Sequence, residues 1–126
     1  MATKTQARPL DKRETSTLIG SDKVEGTPVC RLNGDIIGEI ERVMIDKISG
    51  KVAYAVMSFG GFLGMGEDHY PLPWSVLTYN PTLGGYEVEL TEQQLKNAPK
   101  YSRDESWDWA DRQRTQKVTD YYGTLG

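Results

Sequence analysis

A chain of 126 residues is large enough for one hydrophobic core and too small for two, so we expect a single domain with tails. Its formal net charge of -3 is uneven, because residues 1–17 carry four Lys/Arg against two Asp/Glu and residues 18–98 carry six against eleven. An acidic body repels phosphate backbones, and no basic stripe interleaves with aromatic residues. The composition therefore disfavours nucleic-acid binding.

The sequence also bears on the compartment of the protein. No apolar run approaches the ~20 residues of a membrane span, and residues 1–17 lack the apolar block of a signal peptide. The single cysteine, Cys30, fits a reducing compartment, and its neighbours Val29 and Leu32 indicate an unreactive thiol on a strand. We expect a cytoplasmic protein.

The N-terminal residues 1–17 are rich in Thr, Lys and Arg and show no hydrophobic periodicity, which predicts a disordered tail. The folded domain should begin at Leu18, where the first consecutive apolar residues precede a Gly-Ser-Asp turn. Residues 28–32 predict a strand, and Asn33-Gly34 predicts a hairpin turn into a second strand over residues 36–46. The apolar positions change parity within that second strand, which predicts a β-bulge near Glu41.

Residues 52–59 are apolar on both alternating faces, as in a strand that is covered on both sides. Four glycines between residues 60 and 66 then predict a hinge that redirects the chain. Phe62, Leu63 and Met65 lie within this hinge. Because large apolar side chains in a loop need a covering surface, we expect them to contact a partner.

Prolines at positions 71 and 73 restrict the strand at residues 70–74 to an edge or irregular setting. A last hairpin is predicted from residues 76–79 and 86–90, which brings the number of short strands to about six. Thr91 and Gln94 have the spacing of a capping box, so a short helix should follow at residues 92–97.

The C-terminal residues 99–126 predict a helical extension. Ser102 and Glu105 fit a second capping box and Gly123 a C-terminal stop, so the helix should run over residues 105–121. A narrow apolar stripe recurs at helical spacing along it. This stripe consists of Trp107, Ala110, Arg114, Val118 and Tyr121. It should pack on its own barrel, on a second copy or on another protein.

Few residues suggest chemistry. The glycine-rich segment lacks the Gly-Lys-Ser/Thr that follows in a phosphate-binding loop. Glu67, Asp68 and His69 are candidates for a metal or acid/base group, but successive residues of an extended chain point to opposite sides. Trp74 is best explained as a core or rim aromatic. We therefore predict no enzyme, no cofactor and no metal.

The order of these motifs resembles a PRC-barrel domain. The resemblance covers about 80 residues and is carried by Leu18-Ile19-Gly20, by Gly38 with Ile40, Asp46 and Gly50, and by the segments SFGGFLGMGE, PLPWSVL and LTEQQLKNAP. The family includes the cytoplasmic part of the photosynthetic reaction-centre H subunit and the C-terminal domain of a ribosome-maturation factor. It implies a mainly β fold, a small six-stranded antiparallel barrel over residues 18–98 that serves as an interaction module.

We therefore predict a non-catalytic protein-protein interaction or adaptor module that self-associates, most simply as a homodimer. The residues expected to contact the partner are Phe62, Leu63, Met65, Trp107, Val118 and Tyr121. Two alternatives remain. One is a small-molecule or metal sensor that uses the Glu67–His69 loop, and the other is a hydrolase-like enzyme.

Overall fold

The computed structural model describes residues 9–59, 68–102 and 105–125. Within these residues the helices are α1 (Ser21–Val24), α2 (Glu92–Lys96) and α3 (Arg112–Thr124). The strands are β1 (Pro28–Arg31), β2 (Ile36–Ile45), β3 (Val52–Phe59), β4 (Asp68–Pro73), β5 (Thr78–Asn80), β6 (Gly85–Val88) and β7 (Tyr101–Ser102). They form one sheet in the order β5-β6-β1-β2-β3-β4-β7.

This architecture confirms the expected mainly β fold with a short helix and a C-terminal helix. Three details differ from the prediction. The sheet of the described residues runs from β5 to β7 and does not close into the expected barrel. The short strand β7 adds a seventh strand by pairing with Asp68 and His69 of β4. In addition, β1 pairs with β6 in parallel, with Val29 opposite Tyr86, whereas the other strand pairs are antiparallel. A hairpin turn joins antiparallel neighbours only. The parallel pair of β1 and β6 has no such turn, so no local pattern in the sequence predicts it.

The predicted first hairpin is confirmed. Gly34 has φ +94°, and the Asn33 side chain accepts a hydrogen bond from the Asp35 backbone N–H at 3.0 Å. A left-handed conformation of this kind favours glycine. The predicted bulge is confirmed as well, because Ile40 pairs with Met57 and Arg42 with Val56, which leaves Glu41 as the extra residue.

Gly38 lies where β2 closely approaches β3. A Cβ atom at this position would overlap the Ser58 carbonyl oxygen and would meet the Met57 side chain at 3.0 Å. Glycine is therefore required here by the distance between the strands. One consequence of the irregular strand was not predicted: Ile45, after a second register shift, is 51% exposed.

The middle and end of the domain follow the predicted order with shifted bounds. Strand β4 pairs along its length with β3, while β7 reaches only its first two residues, so Pro71 and Pro73 lie beyond the β7 pairing. The predicted strand at residues 76–79 begins only at Thr78, since Trp74–Val76 form a 3-10 turn. The capping box of α2 is confirmed: Thr91 Oγ1 accepts from Gln94 N–H, and the Gln94 side chain accepts from Thr91 N–H.

The prediction for the C-terminal helix was wrong at both ends. Ser102 and Glu105 do contact each other, with Ser102 N–H donating to Glu105 at 2.8 Å, but they form a local turn. The helix begins at Arg112, because Asp111 accepts from Gln113 N–H at 2.9 Å and serves as the N-cap. The helix then continues through Gly123 to Thr124, since the cost of one helical glycine is small beside the burial of neighbouring residues.

Helix α3 packs on its own sheet. Val118 is completely buried and belongs to the same core as Ile40, Met57, Leu72 and Leu95. The aromatic side chains of Trp107 and Tyr122 belong to the same core. No helix in the described residues is long and apolar enough to cross a membrane.

Residues before the predicted domain start also contact the sheet. The Gly20 N–H donates to the Arg13 carbonyl at 2.6 Å, and Glu14 pairs with Ile19 as an isolated bridge. The Glu14 carboxylate is buried and accepts a hydrogen bond from the Tyr79 hydroxyl at 2.7 Å. The boundary between tail and domain at residue 18 stays a prediction.

The close approach at Gly38 leads to a first prediction. Gly38→Ala should lower the free energy of unfolding by about 1–3 kcal/mol, because the added methyl group overpacks against the β3 backbone. The matched control is Gly123→Ala, where the new Cβ meets open space and should stabilise the helix by up to about 1 kcal/mol. Urea unfolding of the parent and both variants measures this. Equal destabilisation by both substitutions would contradict the role of Gly38.

The packing of α3 leads to a second prediction. Val118→Ala should cost about 2–3 kcal/mol of stability, because it removes fully buried methyl groups and leaves a cavity. Lys117→Ala, one residue earlier on the exposed face, should change stability by no more than about 0.5 kcal/mol. Thermal unfolding followed by circular dichroism compares the two. If Val118→Ala melted like the control, the helix would not be part of the core.

Candidate functional site

The residues expected to contact a partner fall into two groups. Phe62, Leu63 and Met65, together with the hinge glycines, lie outside the described residues. Trp107 and Val118 are buried within the chain itself, so another protein would reach them only after α3 moved. Tyr121 is half-buried, and its hydroxyl donates to the Gln94 carbonyl at 2.6 Å, which ties α3 to α2. The partner-contact role of these residues stays a prediction.

Trp107 has a defined environment even though it precedes the helix. The Arg114 guanidinium lies over its ring, 4.3 Å from the ring centroid. Tyr101 and Trp109 flank it, with ring centroids at 5.7 and 6.2 Å. A guanidinium over an indole face is an attractive cation–π arrangement. The contact therefore fixes the segment before α3 against the first turn of the helix.

His69 lies in a compact polar cluster. Its Nδ1 is 2.6 Å from Oε1 of Glu41, and the Ser58 hydroxyl donates to the same oxygen at 2.9 Å. Its ring stacks on Tyr101, with centroids 5.1 Å apart and planes inclined by 22°. Of the sensor residues proposed from the sequence, Asp68 forms the start of β4 and Glu67 lies outside the described residues.

The arrangement of this cluster does not form a nucleophilic relay. In such a relay the serine hydroxyl donates to histidine, whereas here both Ser58 and His69 contact the Glu41 carboxylate. Ser58 is also buried. No group of three or more His, Cys, Asp or Glu is placed to hold a metal ion within residues 9–59, 68–102 and 105–125. The cluster acts as a crosslink between β2, β3 and β4.

Cys30 has the properties of a structural thiol. It is free, buried in β1 and 3% exposed. Burial, followed by the nearby Glu87 carboxylate, raises the pKa of the thiol. Because the thiolate is the nucleophilic form, this environment opposes covalent catalysis by Cys30.

A groove that the sequence did not reveal lies between β6 and the end of α3. We call it the α3 groove, and its volume is about 480 Å³. Its walls are formed by Leu32, Ser75, Val76, Thr78, Glu87, Glu89, Tyr122 and Leu125. Among these residues the charged side chains, Glu87 and Glu89, are both acidic. Leu32 follows the end of β1 and is 60% exposed.

The β5–β6 hairpin explains how these side chains come together. Thr78 pairs with Glu87, and both line the α3 groove, whereas the next pair, Tyr79 with Tyr86, lines a separate cavity on the other side. Successive residues of a strand point to opposite faces, so one short hairpin supplies both surfaces. The alternation of apolar and acidic residues over Tyr86-Glu87-Val88-Glu89 is the signal that sequence analysis did not use.

The described fold defines a small mainly β domain with helical additions and no catalytic constellation in the parts described. The comparison with family models matches the PRC-barrel domain to residues 17–95. The chain therefore belongs to the PRC-barrel family, as the order of its motifs had suggested.

Two further comparisons add little about function. The comparison with curated proteins found no match. Among solved structures, RimM from Pseudomonas aeruginosa, named as a 16S ribosomal RNA processing protein, is 16% identical with a TM-score of 0.39. The alignment covers 67% of this chain and 50% of RimM, so this chain spans about half the length of that protein.

The buried thiol leads to a third prediction. At mildly alkaline pH, Cys30 of the folded protein should react with Ellman's reagent more slowly than free cysteine, because a raised pKa lowers the thiolate fraction and burial blocks access. The rate should also reach its half-maximal value at a higher pH than that of free cysteine. Unfolding in guanidinium should abolish both differences. A folded-state rate equal to that of free cysteine would contradict a structural role.

Proposed function

We propose that this chain is a non-catalytic protein-interaction module that binds a partner in the α3 groove. The observation that carries the proposal is Leu32, a large apolar side chain that is 60% exposed and lines a groove together with two glutamates. A few buried residues near the centre supply most of the binding energy of a typical interface, and a partner that covers Leu32 would bury it in this way.

The surroundings of Leu32 extend this surface. A second, shallower depression lies on its other side and is formed by Arg31, Leu32, Asn33, Val88, Glu89, Leu90 and Thr91. Leu32 and Glu89 line both depressions, so the two are adjacent. Together they combine apolar and polar side chains, as protein interfaces do.

The charges define the kind of partner. The α3 groove is lined by Glu87 and Glu89 and by no basic side chain among the described residues, and Arg31 lies in the second depression. Electrostatic complementarity then favours a partner segment that presents an apolar side chain flanked by Lys or Arg. Such a partner also fits the acidic balance of residues 18–98.

Self-association is the secondary part of the proposal. It depends on Phe62, Leu63 and Met65, which lie outside the described residues, and a second copy would need to cover them. The sensor alternative depends on Glu67 with His69, and the contact of His69 with Glu41 favours a structural role there. A cytoplasmic location also stays a proposal.

The groove leads to a fourth prediction. Affinity capture from the native cell, with identification by mass spectrometry, should recover a protein with the parent chain. Leu32→Asp should reduce its recovery about tenfold or more, because a charge replaces the apolar anchor. Replacing Glu87 and Glu89 with Gln should reduce it as well, and should weaken its dependence on salt.

The matched control is Leu83→Asp, which introduces the same charge at another exposed leucine in the β5–β6 turn, outside the α3 groove. This variant should recover the partner as the parent does. Equal loss with both aspartate variants would point to a general charge effect and contradict the groove. Failure of the parent to recover any protein reproducibly would contradict the interaction function itself.

A further inference from the structure

The tip of the β2–β3 hairpin carries the most exposed large apolar side chain of the described residues. Ile48 is 98% exposed, and Ile45, the last residue of β2, is 51% exposed. Lys47 and Lys51 flank Ile48 in the chain, and both are exposed. We call residues 45–51 the β2–β3 tip. Its two exposed isoleucines lie outside the core, which makes the tip a candidate contact surface.

The turn that presents Ile48 is fixed by its own hydrogen bonds. The Asp46 carboxylate accepts from the Ile48 N–H at 2.9 Å and from the Ser49 N–H at 2.8 Å. The Asp46 N–H donates to the Lys51 carbonyl at 2.8 Å and closes the turn, and Gly50 has φ +78°. A preformed turn loses little conformational entropy on binding, so Ile48 is suited to serve as an anchor.

The charges of the β2–β3 tip are complementary to those of the α3 groove. The tip has two lysines and one aspartate, which gives it a net charge of +1. The groove is lined by Glu87 and Glu89, and Arg31 lines the neighbouring depression. The proposed function calls for a partner segment with an apolar side chain flanked by Lys or Arg. This chain itself contains such a segment.

The β2–β3 tip does not reach the α3 groove of its own molecule. Leu32, which lines the groove, lies in the turn before β2, whereas the tip follows the end of that strand. Ten strand residues at about 3.3 Å each place the two about 30 Å apart along β2. The groove residue Glu87 pairs with Cys30 of β1, so it lies at the same end of the sheet as Leu32. The tip therefore has access only to the groove of another molecule.

We propose that the partner of the α3 groove is a second copy of this chain, whose β2–β3 tip enters the groove. Ile48 of one copy covers Leu32 of the other, and the two lysines of the tip lie against the two glutamates of the groove. The inference rests on the proposed function, because it assigns an occupant to the same groove. It differs from self-association through residues 62–65, since it uses only described residues.

The contact has a defined symmetry and strength. In a reciprocal pair each copy places its tip in the groove of the other, so a two-fold axis engages both contacts at once. Each tip comprises seven residues, fewer than the roughly 20–30 that each partner contributes to a stable interface. We therefore expect a weak dimer that dissociates on dilution and at high salt.

The test uses two variants of the full-length chain, each lacking one of the two surfaces. Ile48→Asp removes the anchor of the tip, and Leu32→Asp removes the apolar side chain of the groove. In sedimentation velocity at up to about 1 mM, the parent should dimerise and each variant alone should associate at least tenfold more weakly. An equimolar mixture of the two should recover heterodimers, because one variant keeps an intact tip and the other an intact groove.

Charge-reversed variants test the same contact without placing a charge at an apolar position. Lys47→Glu with Lys51→Glu should weaken dimerisation about tenfold, and so should Glu87→Lys with Glu89→Lys. Mixing these two double variants should restore association, since the tip of one then complements the groove of the other. The control is Leu83→Asp, which lies outside both surfaces and should dimerise like the parent.

The outcomes separate this inference from the proposed function. A parent that stays monomeric up to about 1 mM, or a mixture without heterodimers, would overturn the inference. Dimerisation that Leu32→Asp abolishes and Ile48→Asp leaves unchanged would overturn it too, because another segment would then fill the groove. In each case a foreign protein whose capture depends on Leu32 would still support the proposed function. If neither a second copy nor a foreign protein depended on Leu32, both proposals would fail.

Discussion

The pairing of β2 with β3 is the contact on which the rest of this domain depends. Strand β2 has ten residues and two register shifts against β3, and it also carries the irregular pairing with β1. Gly38 lets the strands approach at a point where a methyl group has no room, and the bulge at Glu41 turns the strand so that Ile40 is buried on the inner face. An evenly paired strand would keep the sheet flatter and would leave less surface for α2 and α3 to cover.

The parallel pair of β6 with β1 positions the β5–β6 hairpin and joins it to the rest of the sheet. Glu87 of this hairpin lines the α3 groove, and Tyr79 and Tyr86 line the separate cavity on its other side. A short hairpin can serve two surfaces because neither face is needed entirely for the core. The chemical difference between the surfaces follows from the alternation of residue types along the two strands.

Local sequence signals predicted most of the helices, strands and turns. The Asn33-Gly34 turn, the Thr91 capping box and the bulge near Glu41 each depend on a few adjacent residues, and each is present in the structure. The helix at the C terminus was misplaced because two competing caps lie close together. Ser102 with Glu105 forms a turn, while Asp111 caps the helix. The choice between them depends on where Trp107 packs, and that packing is not a local property.

The sequence by itself determined the family, the mainly β class, the turns and the absence of an evident catalytic motif, because each of these rests on short-range patterns of residue type. Only the tertiary structure decided that α3 packs on its own sheet, that Glu41 joins Ser58 and His69, and that Glu14 lies beside Tyr79. The contacts of Glu41 with Ser58 and His69, and of Glu14 with Tyr79, link residues 17, 28 and 65 positions apart in the chain. The pairing of distant strands brings these residues together, and no periodicity within a single segment encodes those contacts.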